Sequence, residues 1–326
     1  MSRPVRRALA ALVLLGFTAP AALAQTFPTR PLSIIVPFAA GGPTDTVSRL
    51  VAEAMGRDLA QNVVVENVGG AGGTLGSNRV AMARPDGHTL LLHHIGMATT
   101  PTLYRRLPYD PVAAFEPIGL ITEVPMSLIA RPNFPAATLA EVVQVIQQRR
   151  EELNYANAGI GAASHLCGLL LMSRVNAPMT TVPFRGTGPA MQELLAGRVD
   201  LMCDQTTNTS EQIRGNSVRA YAVTTLQRLA ALPDVPTSAE AGLAGFEVSV
   251  WHGLYAPRNT PAPVIARLSQ SLQTALRDPR LIARFADLGT APVAHDQATP
   301  AAHRAFWLAD IAKWRPLIQA AGQFAD

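Results

Sequence analysis

The chain has 326 residues, of which 27 are lysine or arginine and 23 are aspartate or glutamate. Arg3, Arg6 and Arg7 lie in the first ten residues, so the remaining chain has 24 basic and 23 acidic side chains and is nearly neutral. No basic cluster is interleaved with aromatic residues, which argues against a nucleic-acid surface. About 300 residues exceed one ordinary core and predict two domains.

The first 24 residues have the parts of a secretory signal peptide. A basic start is followed by an apolar run from Ala8 to Phe17 and by Ala22-Leu23-Ala24, an A-x-A cleavage site. The run is too short to span a membrane, and no later run approaches the ~18 apolar residues that spanning needs. We therefore expect cleavage after Ala24 and a mature chain in the periplasm rather than an uncleaved membrane anchor.

From residue 31 the chain alternates short β-rich runs with amphipathic helical patterns. The first series predicts strands at 32–36, 63–65 and 89–92 and helices at 44–59 and 74–83. The second series predicts strands at 126–130, 154–156, 180–182, 199–203 and 219–223, and helices at 139–149, from 164 and at 189–195. Three helices follow at 263–276, 279–288 and 300–321. This alternation predicts two α/β blocks with mostly parallel sheets covered by helices. We expect the chain to cross between the blocks near 122–126 and 245–252, and the last helices to pack on the first block.

The two cysteines, Cys167 and Cys203, have apolar neighbours, as buried free thiols usually do. Export permits a disulfide, but two cysteines do not form a disulfide framework. We expect two separate thiols. His93 and His94 are a bare pair without a third ligand in register, so no metal site is predicted.

Four turns of small residues or glycine lie between a strand and a helix start. They span residues 37–45, 67–76, 158–165 and 184–189. A helix N-terminus exposes unpaired N–H groups at the positive end of its dipole, and glycine allows close approach of a ligand. Such turns suit a carboxylate or phosphate, and open α/β sheets bind ligands at the carboxyl ends of their strands.

Nucleotide and catalytic motifs are absent from the sequence. The glycines at 69, 70, 72, 73 and 76 do not give G-x-G-x-x-G, and there is no P-loop, G-x-S-x-G or H-E-x-x-H. We therefore expect no cofactor and no enzyme activity.

Four polar residues near the turns have competing interpretations. Ser164 is interpreted as a helix N-cap, with or without a ligand contact. His165 fits a packed first-turn residue better than a ligand contact. Asp45 complements a helix dipole, or else holds its turn open or binds a ligand amino group. Asp204 precedes a polar run, 205–208, and is a candidate cleft residue.

Seven motifs give the chain a specific resemblance. They are VPFAAGGPTDTVSR (36–49), VVVENVGGAGGTLGS (63–77), RPDGHTLLL (84–92), LYRRLPYDP (103–111), NYANAGIGAASHL (154–166), VPFRGTGPAMQELLAGRVDLM (182–202) and WHGLYAPRNTPAPVIARL (251–268). With these motifs in order over most of its length, the chain resembles the Bug-type extracytoplasmic solute receptors of tripartite tricarboxylate transporters.

The resemblance implies a two-lobed periplasmic binding protein with a type II-like α/β fold. Lobe 1 would comprise residues 25–124 and 252–326, and lobe 2 residues 125–251. The ligand would be a small carboxylate (a di- or tricarboxylate, an acidic amino acid or an aromatic acid), delivered by a monomeric receptor to a membrane permease. The ligand-binding residues implied in this chain are Phe38, Ala39, Ala40, Gly41, Gly42, Asp45, Ala71, Gly72, Gly73, Gly161, Ser164, His165 and Asp204.

Two departures from the family pattern bear on the ligand. Receptors of this family often have a serine-rich turn where this chain has residues 93–96, and an asparagine where it has Thr100. An acidic residue that commonly follows the position of His165 is also absent. A periplasmic sensing lobe that presents its ligand to a signalling protein is the alternative function.

Overall fold

A computed structural model describes residues 27–322 and 324–325. The predicted signal peptide, residues 1–24, lies outside the described residues. The strands are β1 (Leu32–Val36), β2 (Val63–Asn67), β3 (Thr89–His94), β4 (Phe115–Ala130), β5 (Asn154–Asn157), β6 (Thr180–Pro183), β7 (Leu201–Gln205), β8 (Arg219–Val223) and β9 (Ser249–Pro257). The α-helices are α1 (Pro43–Leu59), α2 (Thr74–Ala81), α3 (Gly96–Leu103), α4 (Leu139–Arg149), α5 (Ala163–Val175), α6 (Thr187–Leu195), α7 (Thr206–Arg214), α8 (Ala262–Ala275), α9 (Pro279–Asp287) and α10 (Pro300–Ala321).

Helix α1 shows why the predicted periodicity located most helices. Val47, Val51 and Met55 recur every four residues and are fully buried, so they form one apolar stripe. Pro43 occupies the first turn, where its missing N–H costs no hydrogen bond. The helix ends where Ala60 takes a left-handed conformation, with φ 51°.

The strands join in one sheet with the order β2-β1-β3-β9-β4-β7-β5-β6, and β8 pairs with β4. Pairing is parallel between β1 and its neighbours and between β5 and its neighbours. The pairs made by β4 and β9 are antiparallel. Each predicted α/β block is therefore present, and the strands that cross between the blocks make the sheet mixed.

Strand β4 runs through both blocks. Its residues up to Pro125 pair with β9, and its residues from Met126 pair with β7 and β8. The C-terminal helices return to the first block, as predicted: α8 contacts α1, and α10 contacts α3 and β4. Within the described residues, no helix combines the length and apolar character needed to cross a membrane.

The prediction of two free cysteines is wrong. Cys167 of α5 and Cys203 of β7 form a disulfide, with their Cα atoms 6.0 Å apart. Helix α5 packs on β7, which brings the two Cα atoms within bridging distance. The apolar neighbours that indicated buried thiols are equally compatible with a buried disulfide.

Candidate functional site

A small cavity lies at the carboxyl ends of β1, β5 and β7, where four helices begin. The cavity has a volume of about 10 Å³, roughly enough for one water molecule. The lining residues are Phe38, Gly42, Pro43, Thr44, His94, Ala158, Ala162, Ala163, Ser164, Thr187, Asp204 and Gln205. This is the place where ligands bind in open α/β sheets.

The four helices that begin at the cavity are α1, α5, α6 and α7. Their N-cap residues are Gly42, Ala162, Gly186 and Gln205, and in the described structure none of them caps its helix with a side chain. Of the other helices, α4, α9 and α10 have side-chain caps from Thr138, Asp278 and Thr299, whereas α2, α3 and α8 have none. The convergence of four helix ends, more than the missing caps, therefore sets the cavity apart. The helix ends at the cavity thus keep N–H groups that their own side chains do not satisfy, and their positive dipole ends converge.

Asp45 organises the first turn and has little capacity left for a ligand. Its Oδ2 accepts from the backbone N–H of Gly41 at 3.0 Å and from Arg49 Nε at 3.0 Å. Its Oδ1 accepts from Arg49 Nη2 and from Asn67 Nδ2, both at 3.0 Å. Burial acts to raise the pKa of this carboxyl, but these donors outweigh it and hold the pKa below its ordinary value. The carboxylate therefore holds the turn open, one of the roles considered from the sequence.

The turn before α5 is held by Ser164 and His165. Helix α5 begins at Ala163 with Ala162 as its N-cap, so the prediction that Ser164 is the N-cap is wrong by two residues. Ser164 Oγ instead accepts from the N–H of Ala158 at 2.9 Å, which leaves its own proton free to donate. His165 Nδ1 accepts from the N–H of Gly161 at 3.4 Å, and burial lowers the pKa of His165 to about 4.

Asp204 is the only acidic side chain of the lining, which has no lysine or arginine. It lies near the end of β7, 1% exposed, and its Oδ2 accepts from Asn208 Nδ2 at 2.6 Å. Burial raises the pKa of Asp204 to about 6. The neighbouring Gln205 Oε1 and Thr206 Oγ1 are buried without a hydrogen-bond partner among the described residues. The cavity thus offers backbone and hydroxyl donors to an anion and acceptors to a ligand hydroxyl or ammonium group.

The glycine turns also pack against each other across the sheet. The N–H of Ala39 donates to the carbonyl of Arg185 at 2.9 Å, which joins the first turn to the fourth. Tyr104 OH donates to the carbonyls of Ala71, at 2.8 Å, and Ile160, at 3.0 Å, which joins the second turn to the third. A Cβ on Gly72 would overlap the carbonyl oxygen of Ile160. The turns therefore close the cavity as well as line it.

The thirteen residues predicted to bind ligand divide into two sets. Phe38, Gly42, Ser164 and Asp204 line the cavity. The others lie in the same turns but outside the lining, and they are Ala39, Ala40, Gly41, Asp45, Ala71, Gly72, Gly73, Gly161 and His165.

The prediction omitted Pro43, Thr44, His94, Ala158, Ala162, Ala163, Thr187 and Gln205, which line the cavity. Most of these stand within a predicted turn or directly after a strand. Their position at strand carboxyl ends was the signal available in the sequence.

A larger groove of about 950 Å³ lies away from these turns, between α5 and α10. Its walls include Leu170, Trp251, Phe306 and Trp314, and are mainly apolar. Such walls suit apolar groups, whereas the small cavity has the donors that a small anion needs. The described residues contain no group of three His, Cys, Asp or Glu side chains placed to hold a metal ion.

Comparison with known proteins gives matches over nearly the whole chain. A sequence profile of the tripartite tricarboxylate transporter family receptors matches residues 47–323. A UPF0065 protein of the TAR-I ttuE-ttuC' intergenic region of Agrobacterium vitis is 51% identical over 299 residues, which cover 92% of this chain and 86% of that protein. The periplasmic binding protein BugD is 48% identical with a TM-score of 0.89, covering 92% of this chain and all of that one. MatC from Rhodopseudomonas palustris, solved with bound malate, is 42% identical with a TM-score of 0.86, covering 90% of this chain and all of that one.

Proposed function

Because the chain belongs to the tripartite tricarboxylate transporter receptor family, we propose that it captures a small carboxylate in the periplasm and delivers it to a membrane permease. The observation that carries this proposal is the convergence of four helix N-termini without side-chain caps on one cavity. MatC, which is similar in sequence and fold, binds malate, a ligand of the same chemical class.

The helix ends supply the attraction for an anion without any basic side chain. Each helix N-terminus stabilises a nearby negative charge by about 0.3–1 kcal/mol when exposed and up to ~2 kcal/mol when partly buried. The hydroxyl of Ser164 adds a donor with its proton free. Such a cavity, lined without lysine or arginine, binds a carboxylate by directed hydrogen bonds and can release it when the cavity opens.

We propose that residues 25–124 with 252–326 form one lobe and that residues 125–251 form the other. Strand β4 changes partners between Pro125 and Met126, one residue from the first proposed boundary, and β9 begins at Ser249, three residues before residue 252. Both observations support a division near these positions. Ligand that contacts turns from both lobes favours their closed arrangement. The closed arrangement would then present the surface that a permease binds.

The site chemistry favours binding without turnover. A serine nucleophile needs a base within hydrogen-bond reach. Among the described residues no base accepts from Ser164 Oγ, and His165 Nδ1 already accepts from the N–H of Gly161. We propose that the mature protein is a monomeric receptor that binds one ligand and leaves it chemically unchanged.

The leader belongs to the same proposal. We expect cleavage after Ala24, so the mature chain would begin at Gln25. The intact mass and N-terminal sequence of protein recovered from a periplasmic extract test this. A chain that retains residues 1–24 there would contradict it.

The receptor proposal is tested on mature protein that has been unfolded, dialysed and refolded to remove co-purified ligand. Titration calorimetry and thermal shift would use malate, other di- and tricarboxylates, acidic amino acids and aromatic acids. One-to-one binding with stabilisation of about 2.7 kcal/mol at a hundredfold excess over Kd is expected for the cognate class. The uncharged diamide of malate is the matched control and should not bind. Failure of every carboxylate to bind the refolded protein would refute the proposal.

A further inference from the structure

His94 forms a rigid part of the cavity wall. It ends β3, is 3% exposed, and lines the cavity beside Phe38. Its ring stacks on the ring of Phe38, with centroids 4.6 Å apart and planes 20° apart. The rings of His93 and His252 meet it edge-on, at 4.8 Å and 6.0 Å. Packing on several sides leaves the imidazole little freedom to turn.

One hydrogen bond fixes which nitrogen carries the proton. The backbone N–H of Gly96 donates to His94 Nδ1 at 3.0 Å, so Nδ1 is the acceptor and the neutral ring carries its hydrogen on Nε2. Among the described residues none accepts a hydrogen bond from Nε2, although the side chain lines the cavity. Burial, then the neighbouring His93 and His252, lower the pKa of His94 well below its ordinary value, which keeps the ring neutral.

We infer that His94 is a specificity-determining residue whose Nε2–H donates a hydrogen bond to the ligand carboxylate. The inference rests on the proposed function and deepens it, because it adds a side-chain donor from β3 to the backbone donors of the helix ends. A ring held on Phe38 and bonded through Nδ1 places its donor in one direction, so a ligand must present an acceptor there.

The test replaces His94 by asparagine or glutamine, whose side-chain amides each place a polar group where one of the two imidazole nitrogens stands. In His94→Asn the amide oxygen can take the place of Nδ1 and accept from Gly96, but the side chain is too short to replace Nε2. In His94→Gln the amide nitrogen can take the place of Nε2, while the N–H of Gly96 loses its acceptor. His88→Asn is the matched control, because His88 bonds to Asp86 and is absent from the cavity lining.

The cognate carboxylate is first identified with the wild-type protein, by the titrations described above. We expect His94→Asn to bind it roughly 10- to 100-fold more weakly, the loss of one hydrogen bond to a charged group. His94→Gln should recover most of that loss, although its ligand-free melting temperature falls by roughly 2–8 °C. His88→Asn should bind as the wild type does.

Nitrogen-15 spectra of histidine-labelled protein test the tautomer without a binding assay. His94 should show the Nε2–H form between pH 5 and pH 8, and its Nε2 signal should move when ligand is added. An Nδ1–H form, or equal affinities of wild type and His94→Asn, would overturn the inference. Equal weakening by the Asn and Gln variants would show a role in shape alone and would also overturn it. Absence of carboxylate binding by the wild type would instead refute the receptor function itself.

Discussion

Replacement of Gly188 by alanine tests whether the glycine turns close on each other when ligand is bound. Gly188 is the second residue of α6, and its φ is not in the left-handed region. A Cβ there would lie 2.7 Å from the carbonyl oxygen of Ala40 and 3.0 Å from the backbone nitrogen of Gly42. These atoms belong to the first turn. We take the described arrangement, in which the first and fourth turns touch, as the closed one, so the added methyl obstructs closure without straining α6.

The two states should respond in opposite directions. Alanine favours a helix over glycine by up to about 1 kcal/mol, so the ligand-free protein should be as stable as the wild type or more stable. In the closed arrangement the overlap with backbone cannot be relieved by a side-chain rotation, and overpacking of this kind costs about 1–3 kcal/mol. The apparent Kd should therefore rise roughly 5- to 150-fold.

The assay combines calorimetric titration of the ligand with small-angle scattering before and after ligand is added. The wild type should contract on binding, and Gly188→Ala should contract less. Gly215→Ala is the control, because the nearest atoms to its Cβ would belong to residues close in sequence at the end of α7. The nearest of them, the carbonyl oxygen of Glu211, would lie 3.2 Å away. Wild-type affinity in Gly188→Ala, with an intact fold, would refute the role of these turns in closure.

Three further predictions follow from buried groups near the cavity. The raised pKa of Asp204 means that the folded state holds this proton more tightly than the unfolded chain, in which the pKa is near 3.8. The free energy of unfolding in urea, taken as the difference between the wild type and Asp204→Asn, should therefore fall by roughly 2–3 kcal/mol from pH 4 to pH 7. A difference between the two proteins that does not change with pH would contradict the burial argument. Replacement of both Cys167 and Cys203 by alanine removes a cross-link over 36 residues and should lower the free energy of unfolding by roughly 4 kcal/mol. Reductant should destabilise the wild type but should not change the free energy of unfolding of the double variant. Tyr104→Phe removes the hydroxyl that joins the second and third turns and should weaken ligand binding about fivefold in calorimetry; a change in ligand-free stability alone would place its role outside closure.

Local periodicity predicted most elements because their buried faces are apolar. Helix α4 (139–149) and strand β8 (219–223) have the predicted bounds. Helix α7 was missed because its buried face is formed by hydroxyl side chains, among them Thr206 and Ser210, so no apolar stripe marks it. Helix α3 was missed because it contains Pro101 and is buried on most sides, with threonines among its buried residues, so no single apolar stripe marks it.

The candidate site was located by the sequence but not resolved into roles. Gly42 and Gly72 have the same residue type in similar turns, yet Gly42 lines the cavity and Gly72 contacts the carbonyl of Ile160. Asp45 and Asp204 both stand near a helix start, yet Asp45 lies outside the cavity lining, with its oxygens engaged by Arg49, Gly41 and Asn67. Asp204 is bonded to Asn208 and lines the cavity.

The sequence by itself determined most element types, although not helices α3 and α7 or strand β9, and it determined the four turns and the family. These features depend on residue order over short distances. Only the tertiary structure decided which turn meets which, that Cys167 bonds to Cys203, and that His94 enters the cavity wall. Those contacts depend on the strand order β2-β1-β3-β9-β4-β7-β5-β6. That order brings together residues more than a hundred positions apart, and local hydrophobic periodicity carries no information about such pairings.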